Sequence, residues 1–278
     1  MERVIVDQSD WGQLRVTGAD RTRFLQGMLT NDVGPLGPGA WLRAALLNVK
    51  GRVQALVDVV AEPDGYLVLT EPATAAAVAE LLDRYAIADD VAFAPEARPV
   101  HRVWAAPADV WTAPPRFAAA AAEGDAEARR VEAGLPRYGV DVSDENFPFE
   151  ANLDGVISYT KGCYIGQEVV ARAHARGHAN KRLVGLRLAG AGPVERGSAV
   201  TAAARAEAGT VTSSVVSPVF GPIALAYIHK SAWAPGTEVA VAGRAAVVCA
   251  LPFDRPGVDS SPRSGQDARP TETTNGKE

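Results

Sequence analysis

Cysteine is nearly absent from this chain: Cys163 and Cys249 stand 86 positions apart, with no CxxC pair. That excludes a disulfide framework and paired-cysteine zinc or redox sites, and it points to a reducing, cytoplasmic setting with both thiols free. Long hydrophobic runs are missing too. No window reaches the roughly 18 apolar residues of a membrane span, and the opening MERVIVDQSDWG has no basic region followed by an apolar core, so neither a membrane helix nor a leader is expected. Positive charge is not in excess. With 28 Lys and Arg against 33 Asp and Glu, the net charge of −5 argues against direct binding to nucleic acid or an anionic membrane. GxGxxG, the Walker-type GxxxxGKS/T, HExxH and GxSxG are all absent, which removes nucleotide hydrolysis, zinc proteolysis and a serine nucleophile. Histidine is scarce. His174 and His178 have the spacing of two ligands on a helix face, but Gly177 separates them and no second pair accompanies them, so no metal site is expected.

What remains is an ordinary globular composition, 278 residues with 47% hydrophobic, enough for two or three domains. Val4 to Val6 and Gln13 to Val16 read as short strands, and Asp20 as the N-cap of a helix to about Met28 with Phe24, Leu25 and Met28 on one face. Ala40 to Leu47 and Val53 to Val60, joined by Asn48-Val49-Lys50-Gly51, read as a hairpin, followed by a strand Tyr66 to Thr70. A threonine-capped helix is expected over Thr74 to Tyr85, further strands at Val91 to Ala94 and Pro99 to Ala105, and a helix over Asp125 to Ala133. Single helices among strands, without regular βα alternation, indicate an α+β fold. After His178 the chain becomes a series of short β-type runs with glycine and proline turns, the pattern of a small barrel or sandwich. From Asp254 it is polar and poor in apolar residues, the signature of a disordered tail.

The stretch Ser158 to His178, SYTKGCYIGQEVVARAHARGH, concentrates the chemistry. If a helix starts near Ile165 or Gly166, the Cys163 sulfur lies near free N–H groups and the positive dipole end, with Lys161 two residues upstream. Both features favour the thiolate, the reactive and metal-binding form. The same residue type is also among the commonest to be buried as plain packing. Between Glu168 and Glu195 there is no acidic residue, while Arg172, Arg176, Lys181, Arg182 and Arg187 are present. Such a basic run suits an anionic ligand, carboxylates in particular.

The octapeptide Lys161 to Glu168, KGCYIGQE, closely resembles the signature of the YgfZ family, folate-binding proteins related to the aminomethyltransferase (T-protein) of glycine cleavage. Five further segments resemble the family in its order: GADRTRFLQGMLTNDV from Gly18, LLNVKG from Leu46, RVEAGLPRYG from Arg130, FPFE from Phe147 and TVTSSVVSP from Thr210. The resemblance implies two mixed α/β domains and a C-terminal small β-barrel around a cavity for tetrahydrofolate. On that plan residues 1–40 and 125–178 form a discontinuous first domain, 41–124 a second, 179–253 the barrel and 254–278 the tail. It also implies a role in assembling or repairing iron–sulfur clusters in client enzymes, including radical enzymes that modify tRNA. Cys163 is then the functional thiol, with Lys161 beside it. Arg130 and Arg182 match positions facing the cavity, and Tyr164, Gln167 and Glu168 join them as candidate ligand contacts. The aminomethyltransferases carry an Asp-Asp pair where this chain has Ala55-Leu56, and Asp58, two or three residues on, is not expected to substitute directly, since a shift of one residue already reverses the face. Their pteridine-holding glutamate has no counterpart that the sequence locates. A folate-dependent aminomethyltransferase, or another one-carbon transferase, is the alternative activity. A folate-sensing binding module is a third reading.

Overall fold

The computed structural model describes residues 4–104, 109–111, 123–176 and 179–253. The tail from Asp254, most of the alanine- and proline-rich stretch 106–124, and His178 fall outside these ranges. Its strands are β1 (Val4–Asp7), β2 (Gly12–Thr17), β3 (Trp41–Leu47), β4 (Val53–Glu62), β5 (Gly65–Thr70), β6 (Ala92–Glu96), β7 (His101–Trp104) and β8 (Asp109–Trp111). Helices α1 (Arg21–Met28), α2 (Ala75–Tyr85), α3 (Glu123–Glu132) and α4 (Gln167–Arg176) intervene or follow. The last six strands are β9 (Lys181–Leu188), β10 (Ala199–Ala202), β11 (Arg205–Ser217), β12 (Gly221–His229), β13 (Glu238–Val241) and β14 (Arg244–Cys249).

A five-stranded antiparallel sheet runs in the order β3-β4-β5-β2-β6. Strand periodicity gives each residue of β4 one of two faces. Ala55, Val57, Val59 and Ala61 pack with Phe24, Leu25 and Met28 of α1 and with Val78 and Leu82 of α2. Leu56 and Asp58 therefore share the opposite face. The sheet joins β2 to β5, so the boundary expected at residue 40 cuts through a continuous hydrogen-bonded structure. A second sheet, β1-β7-β8, has three strands.

The barrel is closed, in the order β10-β11-β12-β9-β14-β13. Its short strand β10 was not foreseen, because AVTA offers no clear alternation. In β11 the register shifts between Val211 and Ser213, so the ladder bulges at Thr212. A bulge lets neighbouring side chains leave the strand in similar directions, and Thr212 and Ser213 both hydrogen-bond Asp141, at 2.5 and 2.7 Å.

Two expected caps work differently. The Asp20 carboxylate accepts from the Asp90 N–H (2.9 Å) and from the Arg23 side chain (3.3 Å), not from a backbone N–H of its own helix. The Thr74 hydroxyl donates to the Glu71 carbonyl (3.0 Å) and bonds the Thr70 hydroxyl (2.7 Å), and a 3-10 turn, Pro72–Thr74, precedes α2.

Candidate functional site: a charged cavity and an exposed thiol

A cavity of about 700 Å³ lies between the free face of β3 and β4, the β1–β2 turn, β7 and α3. That volume falls in the range of small-molecule and cofactor sites. Three carboxylates and four arginines line its inner part: Asp58, Glu71, Glu127, Arg43, Arg102, Arg130 and Arg137. Trp11 adds an aromatic wall beside Arg102, whose guanidinium lies 5.5 Å from the ring centre.

Asp58 is fully buried. Arg43, its direct cross-strand partner, donates to both carboxylate oxygens at 2.8 and 3.0 Å. Arg102 of β7, itself 2% exposed, donates to the same carboxylate and, at 3.2 Å, to Gln8. The triad ties the two sheets together. Desolvation pushes the Arg43 pKa down to about 10 and lowers that of Arg102 as well. Asp58 thus faces the cavity with Leu56. It lies two residues along the same face, and the two guanidinium groups, not strand geometry, are what occupy it.

Arg130 of α3 lines the cavity but has spent its donors. Its Nε and Nη2 bond the two Glu127 oxygens (2.8 and 2.5 Å), Nη1 bonds Leu135 O and Asp141 (2.7 Å each), and Nη2 also bonds Ser213 (2.7 Å). A guanidinium has five N–H donors, and these bonds use them all. Arg130 locks α3 to the barrel and lends charge to the cavity. Arg137 is different. It is 44% exposed and holds Glu71 at 3.4 Å and Glu127 at 3.6 Å, so among the described residues most of its donors are uncommitted.

The thiol lies elsewhere, on the loop leading to α4. Cys163 is exposed, which removes the packing reading, and it is not among the residues lining the cavity. The loop is fixed on both sides. Before the cysteine, Lys161 is buried and donates to Leu29 O and Asn31 O at 2.7 Å each. Burial lowers its pKa to about 8, against the opposing pull of Asp32. The ammonium is therefore an anchor committed to carbonyls, not a charge presented beside the sulfur. After the cysteine, Tyr164 sits in a core with Ala45, Leu47, Val53 and Val170, and desolvation pushes its pKa up to about 12. Three of the amides near the sulfur are taken: Tyr164 N–H bonds Gln167 Oε1, Ile165 N–H bonds Gly27 O, and Gln167 N–H bonds Tyr164 O.

Two glycines let the hairpin turn meet the start of α4. Gly166 has φ +82°, and a Cβ there would stand 2.6 Å from Asn48 O. Gly51 has φ +74°, and its Cβ would stand 3.0 Å from Val169. The segments LTND, LLNVKG and KGCYIGQE, far apart in sequence, thus meet beneath the thiol loop. Thr30 completes the junction, its hydroxyl donating to Val156 O (2.7 Å) and accepting from Ala45 N–H (2.8 Å).

Of the five residues expected to contact a ligand, Arg130 alone lines the cavity. Tyr164 and Gln167 build the thiol loop. Glu168 is exposed and pairs with Arg172 one helical turn on. Arg182 is drawn outward to Asp154, at 2.9 Å, with both side chains more than 40% exposed. Sequence reading missed Arg43, Glu71, Arg102, Glu127 and Arg137. A lone Asp in VQALVDVV and a lone Arg in HRVW were the available signals for the buried triad. Glu71, at a strand end before proline, gave none.

Comparison with known proteins agrees with this architecture. Residues 181–259 match the family of the glycine cleavage T-protein C-terminal barrel domain. The chain is 42% identical over 132 residues to an aminomethyltransferase of Saccharopolyspora erythraea, covering 45% of this chain and 36% of that one. It is 36% identical over 134 residues to an aminomethyltransferase of Thermosynechococcus vestitus, covering 48% and 36%. An uncharacterized protein of Haemophilus influenzae is 31% identical over 192 residues, covering 61% of this chain and 68% of its own length. Over its barrel and about half of its length the chain is thus similar to the aminomethyltransferases. This aminomethyltransferase-like chain matches about a third of the length of the two curated aminomethyltransferases. Its fold is that of the glycine cleavage system aminomethyltransferase T from Bartonella henselae, with a TM-score of 0.77 at 17% identity over 91% of this chain and 86% of that one. Among the described residues no group of His, Cys, Asp and Glu is arranged to hold a metal, and no helix is long and apolar enough to cross a membrane.

Proposed function

We propose that this aminomethyltransferase-like protein binds tetrahydrofolate or another folate in the charged cavity and does not transfer an aminomethyl group. In the manner of the YgfZ family, it would serve as an accessory factor for assembly or repair of iron–sulfur clusters in client enzymes, tRNA-modifying radical enzymes among them. The observation that carries the reading is the wall formed by β4. Where the transferases carry their aspartate pair, this chain has Ala55, turned into the α1/α2 core, and Leu56 on the cavity face. The nearest acid, Asp58, is saturated by Arg43 and Arg102. No carboxylate on that strand is left to assist a reacting nitrogen.

The cavity's own residues suit a folate. Its volume is adequate, Arg137 has donors to spare for the carboxylates of a glutamyl tail, and Trp11 offers a ring face for a flat heterocycle. A folate, when bound, supplies a carrier for one-carbon units. The protein's part is to hold and orient it: Asp58, Arg43 and Arg102 keep the back wall rigid, and Arg130 fixes α3 against the barrel. Cys163, exposed on a loop anchored at Lys161 and Tyr164, presents a soft sulfur donor to a partner. Titration of the purified protein with tetrahydrofolate, alongside an assay with a methylamine-loaded lipoyl carrier, tests the reading. Saturable binding without turnover is expected. Turnover that depends on Asp58 would make the protein a transferase.

A further inference from the structure

The cavity carboxylates are not equivalent. Asp58 accepts bidentate bonds from Arg43 and another from Arg102. Glu127 accepts a bidentate pair from Arg130. Asp7 and Asp10 are exposed, and Asp7 is bound to Ser9. Glu71 is held more loosely than these. Its side chain is 12% exposed, and among the described residues its carboxylate accepts a single bond, of 3.4 Å, from Arg137 to Oε2. Its backbone is held firmly, with the Thr74 N–H and hydroxyl both donating to its carbonyl (2.9 and 3.0 Å). A buried carboxylate is costly unless it is hydrogen-bonded through both oxygens. One that is fixed in place and under-paired on a cavity wall has capacity to spare for a ligand.

We infer that Glu71 is the group that reads the ligand's ring, pairing through both oxygens with a planar edge that carries two adjacent N–H donors, such as the 2-amino-4-oxopyrimidine edge of a pterin. The inference rests on the folate reading for its choice of pterin, since guanine presents the same donor edge. Two parallel N–H···O bonds to a carboxylate give the geometric fit of a bidentate pair. A ligand with a carbonyl in place of the 2-amino group would set oxygen against oxygen and be rejected. Glu71 lies at the end of β5, not on a strand before the RVEAG segment, so the recognising group comes from the five-stranded sheet itself.

The test is fluorescence titration of the full chain with 6-hydroxymethylpterin, 6-hydroxymethyllumazine (its 2-oxo counterpart) and guanosine. The expected result is pterin bound about 10- to 100-fold more tightly than lumazine. In Glu71→Gln that ratio should fall towards one, because the amide can donate to the lumazine oxygen. Unchanged pterin affinity in Glu71→Gln, or equal binding of pterin and lumazine by the unmodified protein, overturns the role of Glu71 and leaves folate binding intact. Glu71-dependent binding of guanosine without pterin upholds the edge assignment and overturns the folate reading. Binding of none of the three overturns both. The pterin-to-lumazine ratio is read on the unmodified chain, so it decides the matter even if the variant does not fold.

Discussion

Asp58 shows how one buried charge can serve structure on a cavity wall. Removing it leaves Arg43 and Arg102 desolvated without their counter-ion, a situation that costs roughly 3–5 kcal/mol. Asp58→Asn should lower unfolding free energy in urea by about that amount, and a loss under about 1 kcal/mol would mean the triad is not held as described. Glu71 behaves oppositely. Burial raises its pKa above the ordinary carboxylate value, against the pull of Arg137. Its share of stability is full below the unfolded pKa and is lost as pH rises through the folded one. The ligand-free Glu71→Gln protein should therefore melt at a higher temperature than the unmodified protein at neutral pH, with the difference shrinking on acidification. A lower melting temperature at neutral pH would contradict an under-paired carboxylate. Lys161 completes the set. Its folded pKa of about 8 lies below the ordinary lysine value of 10.5, so its burial cost is full below pH 8 and relaxes as pH rises towards 10.5. Stability measured across that interval should rise in the unmodified protein relative to Lys161→Met, and parallel curves would place the ammonium in solvent.

At the scale of elements, the thiol loop depends on two backbone positions. Gly166→Ala puts a Cβ against Asn48 O in a left-handed conformation, and Gly51→Ala puts one against Val169. Each should cost about 1–2 kcal/mol from backbone strain alone, with Gly166→Ala the worse because its neighbour is backbone. Faster alkylation of Cys163 in these variants would report the loosened loop, and unchanged stability would show that the turn and α4 do not meet closely. The elements themselves were legible. Two apolar runs joined by the short polar, glycine-ended link Asn48 to Gly51 gave the hairpin, and the alanine- and leucine-rich stretch before Tyr85 gave α2, because these patterns are local. The helix at the thiol was legible to within two residues, but the use of its amides was not. Gly27 O reaches the Ile165 N–H through tertiary packing, which spacing does not encode.

Across the whole molecule, the barrel and the α+β character were readable, whereas the cavity had to be seen. It is assembled from β1, β4, β7, α3 and the turn after β5, pieces spread from Val6 to Arg137, and its charges are sorted by who neutralises whom. Arg130 looked like a ligand contact because it is a basic residue in a recognisable segment, yet Glu127, Asp141, Leu135 and Ser213 leave it no free donor. Cys163 was visible as a candidate from its surroundings in sequence, and its exposure gives that reading a surface on which to act. Because the sulfur makes no packing contribution, Cys163→Ser should leave stability within about 0.5 kcal/mol. The measurement that bears most directly on the account is the activity of several iron–sulfur enzymes, with glycine cleavage as control, in cells lacking this protein and supplied with either form. The account predicts a selective fall in the cluster enzymes, restored by the unmodified protein and not by Cys163→Ser. Loss of glycine cleavage alone, or full rescue by Cys163→Ser, would contradict it.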